Sequence, residues 1–253
     1  MKVAFCFTGN LRSYEQLYPY WKQSFFDRYN TDVYFHLWDC VGKLPVNLSP
    51  SLTSTQSFIQ SYDFSKIPYT EESLKTKFNA EAVVLEPYYP DMQDTIEKLT
   101  SICVEYHTGL PDVRAQHPDR RCKTSLHRIN QWAMWYKRKK AIELLKSTGK
   151  QYDLIYVGRA DIIFTYILHY LPKDRLTVPI LTINGIEEYH DYFAIGPLDL
   201  IEKYVAYIDF FEYYIKYIGS NILMHHVQTH EIPLHKIEDN ILMTWWKNDI
   251  FAK

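Results

Sequence analysis

Several short stretches of this sequence place polar or charged side chains where they could do chemistry. The first is Phe7-Thr8-Gly9-Asn10-Leu11-Arg12. A glycine directly after an apolar run lets a ligand approach the backbone closely. The amides that follow, with Thr8, Asn10 and the Arg12 guanidinium, are of the type that grips a diphosphate. Gly9 alone fits a plain tight turn equally well, and Arg12 supplies the charge that a turn does not need. Neither Gly-x-Gly-x-x-Gly nor a Walker-type loop occurs. The second stretch, Trp38-Asp39, closes another apolar run. An acid there can accept hydrogen bonds from a ribose, or it can cap a turn. The third, Asp153 to Phe164, is apolar apart from Gly158-Arg159-Ala160-Asp161. Arg159 and Asp161 are two positions apart, so on a strand they share a face. Burying both costs several kcal/mol unless they pair or bind something, which favours a ligand site at the strand's end. Further on stand His190-Asp191 and Lys236-Ile237-Glu238-Asp239-Asn240. Asp191 also suits a turn, and Glu238 and Asp239 also suit the first turn of a helix, where acids favour the dipole.

These motifs together resemble GT-A-fold nucleotide-sugar glycosyltransferases of the capsule and viral glycan type. The resemblance rests on the opening strand with Gly9-Asn10-x-Arg12, on Trp38-Asp39, on strand–Arg159-x-Asp161–apolar at the Asp-x-Asp position, and on His190-Asp191-Tyr-Phe-Ala-Ile-Gly196. It spans most of the chain and is thin over residues 42–125. It implies a nucleotide-sugar donor, a glycan or related hydroxyl acceptor, and Mn²⁺ or Mg²⁺ as cofactor. Asp161 takes the position of the metal-holding aspartate. Arg159 replaces the first aspartate of the motif, so a fixed cation can itself neutralise phosphate charge. His225, His226 and His230 are candidates for a second metal ligand, and each also reads as an ordinary core or surface side chain. By the same resemblance Asp191 contacts the sugar, and Asp239 or Glu238 removes the proton from the acceptor hydroxyl. Thr8, Gly9, Asn10, Arg12, Asp39 and Arg159 would bind the donor nucleotide.

Other classes fit less well. Sugar-phosphate nucleotidyltransfer needs a glycine-rich basic loop after the first strand, where this chain has only Gly9 and Arg12. A non-catalytic glycan- or nucleotide-binding protein of the same fold would use the 22 tyrosines as sugar platforms. Those tyrosines serve equally well as filler on half-buried faces. The formal net charge of -2 gives no global field towards nucleic acid. The basic run Lys137-Arg138-Lys139-Lys140 falls mid-helix and reads as a solvated face, while Lys123 and Arg128 nearer the helix start are better placed for the donor. Oligomeric state is left open.

The elements that would position these residues follow from periodicity. Lys2–Thr8, Asp32–Leu37, Ala82–Leu85, Leu176–Leu181 and Tyr192–Ile195 read as strands, as does the run from Tyr152. Tyr14–Tyr29, Gln56–Tyr62, Asp91–Cys103 and Ser125–Lys146 read as helices, with a long helix opened by Pro197. In Ser125–Lys146 the apolar face is Ile129, Trp132, Ala133, Tyr136, Ala141, Leu144 and Leu145. Residues 42–55 and 106–121 read as irregular connections, and residues 238–246 as helix or loop. Alternating strands and helices predict a single α/β, Rossmann-like domain with a mainly parallel sheet covered on both faces. Residues 1–165 would bind the nucleotide and residues 166–253 the acceptor. Apolar residues form 47% of the chain and charged ones 23%, a globular balance. No run approaches the ~18 apolar residues of a membrane span, and Cys6, Cys40, Cys103 and Cys122 have no zinc or Cys-x-x-Cys spacing. The sequence-based expectation is therefore a cytosolic protein with reduced thiols.

Overall fold

The computed structural model describes residues 1–11, 14–42, 65–88, 124–160, 171–183, 186–217 and 222–238. Its strands are β1 (Lys2–Gly9), β2 (Asn30–Trp38), β3 (Ala82–Glu86), β4 (Leu154–Arg159), β5 (Leu176–Ile183), β6 (Ile186–Tyr189), β7 (Phe193–Gly196) and β8 (Leu234–Glu238). They form one sheet in the order β3-β2-β1-β4-β7-β5-β6, and β8 pairs with β5. The β3-β2-β1-β4 half is parallel throughout. β7 then reverses between β4 and β5. β6 is also antiparallel to β5, whereas β8 is parallel to it. The fold is α/β and Rossmann-like, with a parallel half and a mixed half. Two reversals between β4 and β5 turn β5 and β8 back to the direction of β1–β4. The carboxyl ends of all six therefore share one edge of the sheet.

The helices are α1 (Tyr14–Trp21), continued by a π-helical turn over Lys22–Phe26, α2 (Glu71–Phe78), α3 (Thr124–Ser147), α4 (Leu198–Val205), α5 (Phe211–Tyr217) and α6 (Ile222–Thr229). A 3-10 segment, Ala206–Phe210, joins α4 to α5, so the stretch expected as one helix is broken into three. α2 begins with a reciprocal cap in which the Thr70 side chain accepts from the Ser73 amide and Ser73 from the Thr70 amide. The helices expected over Gln56–Tyr62 and Asp91–Cys103 lie outside the described residues, as does residues 106–121.

Because β1 is buried on both faces, its alternate residues feed two cores. Val3, Phe5 and Phe7 pack with Phe35, Tyr156 and Phe193 beneath α1, the π turn and α2. Phe5 stacks on Tyr156 at 5.5 Å and Phe7 on Phe35 at 5.6 Å, with Trp21 edge-on to both phenylalanines. On the other face the small side chains of Ala4 and Cys6 lie under α3, with Trp135, Ala141, Ile142 and Leu145. Trp135 meets Tyr204 at 4.8 Å and Tyr207 at 4.4 Å. Much of the aromatic content is thus core: Tyr14, Tyr34, Tyr156, Tyr204 and Tyr207 are fully buried rather than half-buried filler. Among the described residues no helix is long and apolar enough to cross a membrane.

Candidate functional site

The strand order reverses direction of growth between β1 and β4, where α/β sheets bind ligands at their carboxyl ends. Gly9 ends β1 at φ +92, a left-handed geometry that a side chain rarely adopts, and open space lies where a Cβ would stand. Thr8 is buried and its hydroxyl donates to the Gly158 carbonyl at 3.1 Å, which stitches β1 to β4. Asn10 donates to the Cys40 carbonyl at 2.9 Å and so fixes the exit of β1 against that of β2. Asp39 follows β2; its amide donates to the Glu86 carbonyl at 3.0 Å and its carboxylate pairs with Lys66.

Register places three polar side chains in a row across this edge. Thr8 is opposite His36 on one side and Arg159 on the other, and alternation puts all three on the α3 face. The Arg159 amide donates to the Tyr192 carbonyl at 3.1 Å, and Tyr156 Oη donates to the Arg159 carbonyl at 2.9 Å. The turn carrying Asp191 is thereby held beside the end of β4. The Asp191 carbonyl in turn accepts from Arg138 of α3. Glu238 ends β8 opposite Ile180, whose other neighbour is Tyr189. The first-turn-of-helix reading of Glu238 is therefore corrected, since Glu238 is the carboxyl end of strand β8. The structure brings Thr8, Gly9, Asn10, Asp39, Arg159, Asp191 and Glu238 to one edge of the sheet. Arg12, Asp161 and Asp239 lie outside the described residues.

His226 does not join them. It is fully buried in α6, with Nδ1 2.8 Å from the Tyr214 hydroxyl and Nε2 2.8 Å from the Lys203 carbonyl. Nε2 donates to the carbonyl and Nδ1 accepts from the phenol, so neither nitrogen is left for a metal. Burial pushes the imidazole down to about 4, against the pull of the Lys203 carbonyl. Among the described residues no group of three or more His, Cys, Asp or Glu side chains is placed to hold a metal ion.

The basic run of α3 overturns the solvated-face expectation. Lys139 and Lys140 are partly exposed and pair with Asp209 and Glu143, but Lys137 and Arg138 are fully buried. The Lys137 ammonium donates to the Leu37 carbonyl at 2.9 Å and to Glu86 Oε2 at 2.7 Å, and it sits 3.7 Å from the centre of the Trp38 ring. Tyr136 Oη donates to Glu86 Oε1 at 2.7 Å, and the Tyr136 ring stacks between Trp38 and Trp132. Burial lowers Lys137 to about 8 although Glu86 opposes it. Burial alone would raise the Glu86 carboxyl, but the hydrogen bonds from Lys137 and Tyr136 outweigh it and hold it low. His36, 3.9 Å from Glu86, is pushed down to about 4 by burial and by Lys137. The sequence did not single out His36 or Glu86. The one available signal was a charged or imidazole side chain in the last positions of an apolar strand.

Compared with known proteins, the chain matches no family model and no curated sequence.

Proposed function

We propose that this chain is a glycosyltransferase that moves a sugar from a nucleotide-diphosphate-sugar to a hydroxyl acceptor on a glycan or related molecule. One observation carries the reading. Thr8, just before Gly9, stands opposite Arg159 at the β1/β4 switch point, and the Asp191 turn is tied to Arg159 through the Tyr192 carbonyl. The open space beside the partly exposed Gly9 lets a diphosphate approach, and the Arg159 guanidinium offsets the charge that grows on the leaving diphosphate. The Arg159 backbone under it is held by its amide donating to Tyr192 and its carbonyl accepting from Tyr156. Asp191 faces the sugar from the turn. Glu238, or Asp239 after it, accepts the proton of the attacking acceptor hydroxyl. Mn²⁺ or Mg²⁺, if used, would be held by Asp161 and would supply Lewis-acid assistance to the same leaving group.

The test is a thermal-shift titration with UDP, GDP, CDP and TDP, each with and without Mn²⁺, followed by nucleotide release from the matching sugar nucleotides. One nucleotide at about 100 times its dissociation constant should stabilise the fold by about 2.7 kcal/mol, a rise of roughly 5–10 °C. Arg159→Ala should abolish that rise while its own unliganded melting stays cooperative. A nucleotide that binds but is never released from a sugar would make the protein a non-catalytic binder. No shift with any nucleotide overturns the reading.

A further inference from the structure

We propose that Arg138 is a positioning residue for this site: it holds the Asp191 turn in place against Arg159. The inference rests on the reading above for the roles of Asp191 and Arg159, and on α3 for its geometry. Lys137 and Arg138 are neighbours, so their side chains leave the helix about 100° apart. Lys137 goes to the β2–β3 side and meets Leu37 and Glu86. Arg138 goes to the β4–β7 side and donates to the Asp191 carbonyl. Its guanidinium lies 4.6 Å from the centre of the Trp135 ring, and that ring is wedged between Tyr204 and Tyr207. The arginine is therefore fixed by the core before it touches the turn.

The turn is held from both sides by consecutive carbonyls. Asp191 O accepts from Arg138 of the helix, and Tyr192 O accepts from the Arg159 amide of the strand at 3.1 Å. Gly158 makes the second contact feasible, because a Cβ there would stand 2.7 Å from Tyr192 O. Among the described residues no carboxylate forms an ion pair with Arg138, and its Nε and Nη1 are buried without a hydrogen-bond partner. A fully buried cation whose bonded partner is a neutral carbonyl is a poor way to stabilise a core; an apolar side chain of the same length would do it better. What the cation does supply is a directed donor for one turn. Without it the Asp191 turn loses its tie to α3 beside Arg159, and with it the alignment of sugar and leaving group.

Amide hydrogen exchange on the full chain tests this, comparing wild type with Arg138→Met and Arg138→Lys. In Arg138→Met the Arg159 amide and the amides of residues 191–193 should exchange about tenfold faster or more, while the β1–β2 amides keep their protection. Arg138→Lys, which can still donate to the carbonyl, should recover part of that protection. With the donor sugar identified, Arg138→Met should lower kcat about 10- to 100-fold and leave the donor KM within about twofold, a split that general loss of stability would not produce. Unchanged exchange at Arg159, or equal acceleration across the whole sheet, overturns the proposal. If Arg138→Met does not fold, Arg138→Lys against wild type supplies the comparison. Wild type that releases no nucleotide from any sugar nucleotide would sink the transferase reading, and the exchange result would still decide whether Arg138 holds the turn.

Discussion

His36 and His226 show how differently one residue type can be used, and both make the fold sensitive to acid. Each is held near a pKa of about 4 by burial, against about 6.5 for a free imidazole. Above pH 6.5 both are neutral in either state and have no effect on the pH dependence. Between 6.5 and 4 the unfolded chain binds protons that the folded chain refuses, so stability falls as pH falls through that window. Each histidine contributes about 3 kcal/mol to the loss when the window is fully crossed. Urea unfolding at pH 7 and pH 4.5 should show the drop in wild type. In His226→Gln, which can still donate to the Lys203 carbonyl, the difference between the two pH values should shrink by about 2 kcal/mol or more. An unchanged difference would mean His226 titrates normally. The two partners of His226 explain why its reading as a metal ligand fails: Tyr214 and Lys203 lie 12 and 23 residues away in the chain, and only the packed fold brings them together. The placement of Thr8, Gly9 and Arg159 at strand ends was legible because its signal is local, a glycine or a charge at the end of an apolar run. Lys137 and Glu86 were not, since a buried ion pair joins positions 51 residues apart and each looks like a surface residue by itself.

β4 is the element on which the site turns, and its tolerances are set by Gly158. A Cβ at that position would lie 2.5 Å from Phe193 Cβ and 2.7 Å from both Tyr156 Oη and the Tyr192 carbonyl. Two of these obstacles are close to backbone and cannot swing aside. Gly158→Ala should therefore push β7 away from β4, destabilise the protein by about 2–3 kcal/mol and lower its melting temperature by roughly 5–10 °C. A melting temperature within about 2 °C of wild type would show that the strands can part without strain. The buried strands β1, β2 and β4 were readable as apolar runs, and α3 as a long periodic helix. The rotation of α3 was not readable: Lys137 and Arg138 turn inward, and Trp132 and Tyr136 are only partly buried. β6 and β8 escaped because four or five residues with mixed polarity carry too little period to distinguish strand from helix. α2 escaped for a related reason. It is eight residues long and has only Leu74 and Phe78 buried, so its clearest mark is the Thr70–Ser73 cap.

The proposed nucleotide part near residues 1–165 and the proposed acceptor part after it are not separable bodies. One sheet runs through both, because β7 pairs directly with β4. Residues from the second part complete both cores of the first. Leu176, Val178, Ala194, Ile201 and Tyr204 pack with Trp135 on the α3 face, while Phe193, stacked 5.7 Å from Tyr156, and Ile195 fill the opposite one. A fragment of residues 1–165 would leave β4 as an open, apolar edge and Trp135 without its tyrosines. Expressed alone, it should be aggregation-prone or molten, with helical far-UV signal, weak near-UV signal and bound hydrophobic dye. Supplying residues 166–253 as a second chain should restore a cooperative unfolding transition. A fragment that unfolds cooperatively alone, with native near-UV signal, would show instead that β1–β4 is a self-sufficient unit. The site makes the same demand as the cores, because the acceptor of the Arg159 amide is Tyr192, which the shorter fragment lacks. Nucleotide affinity should accordingly return only when the second chain is added, and folding and ligand binding should be recovered together.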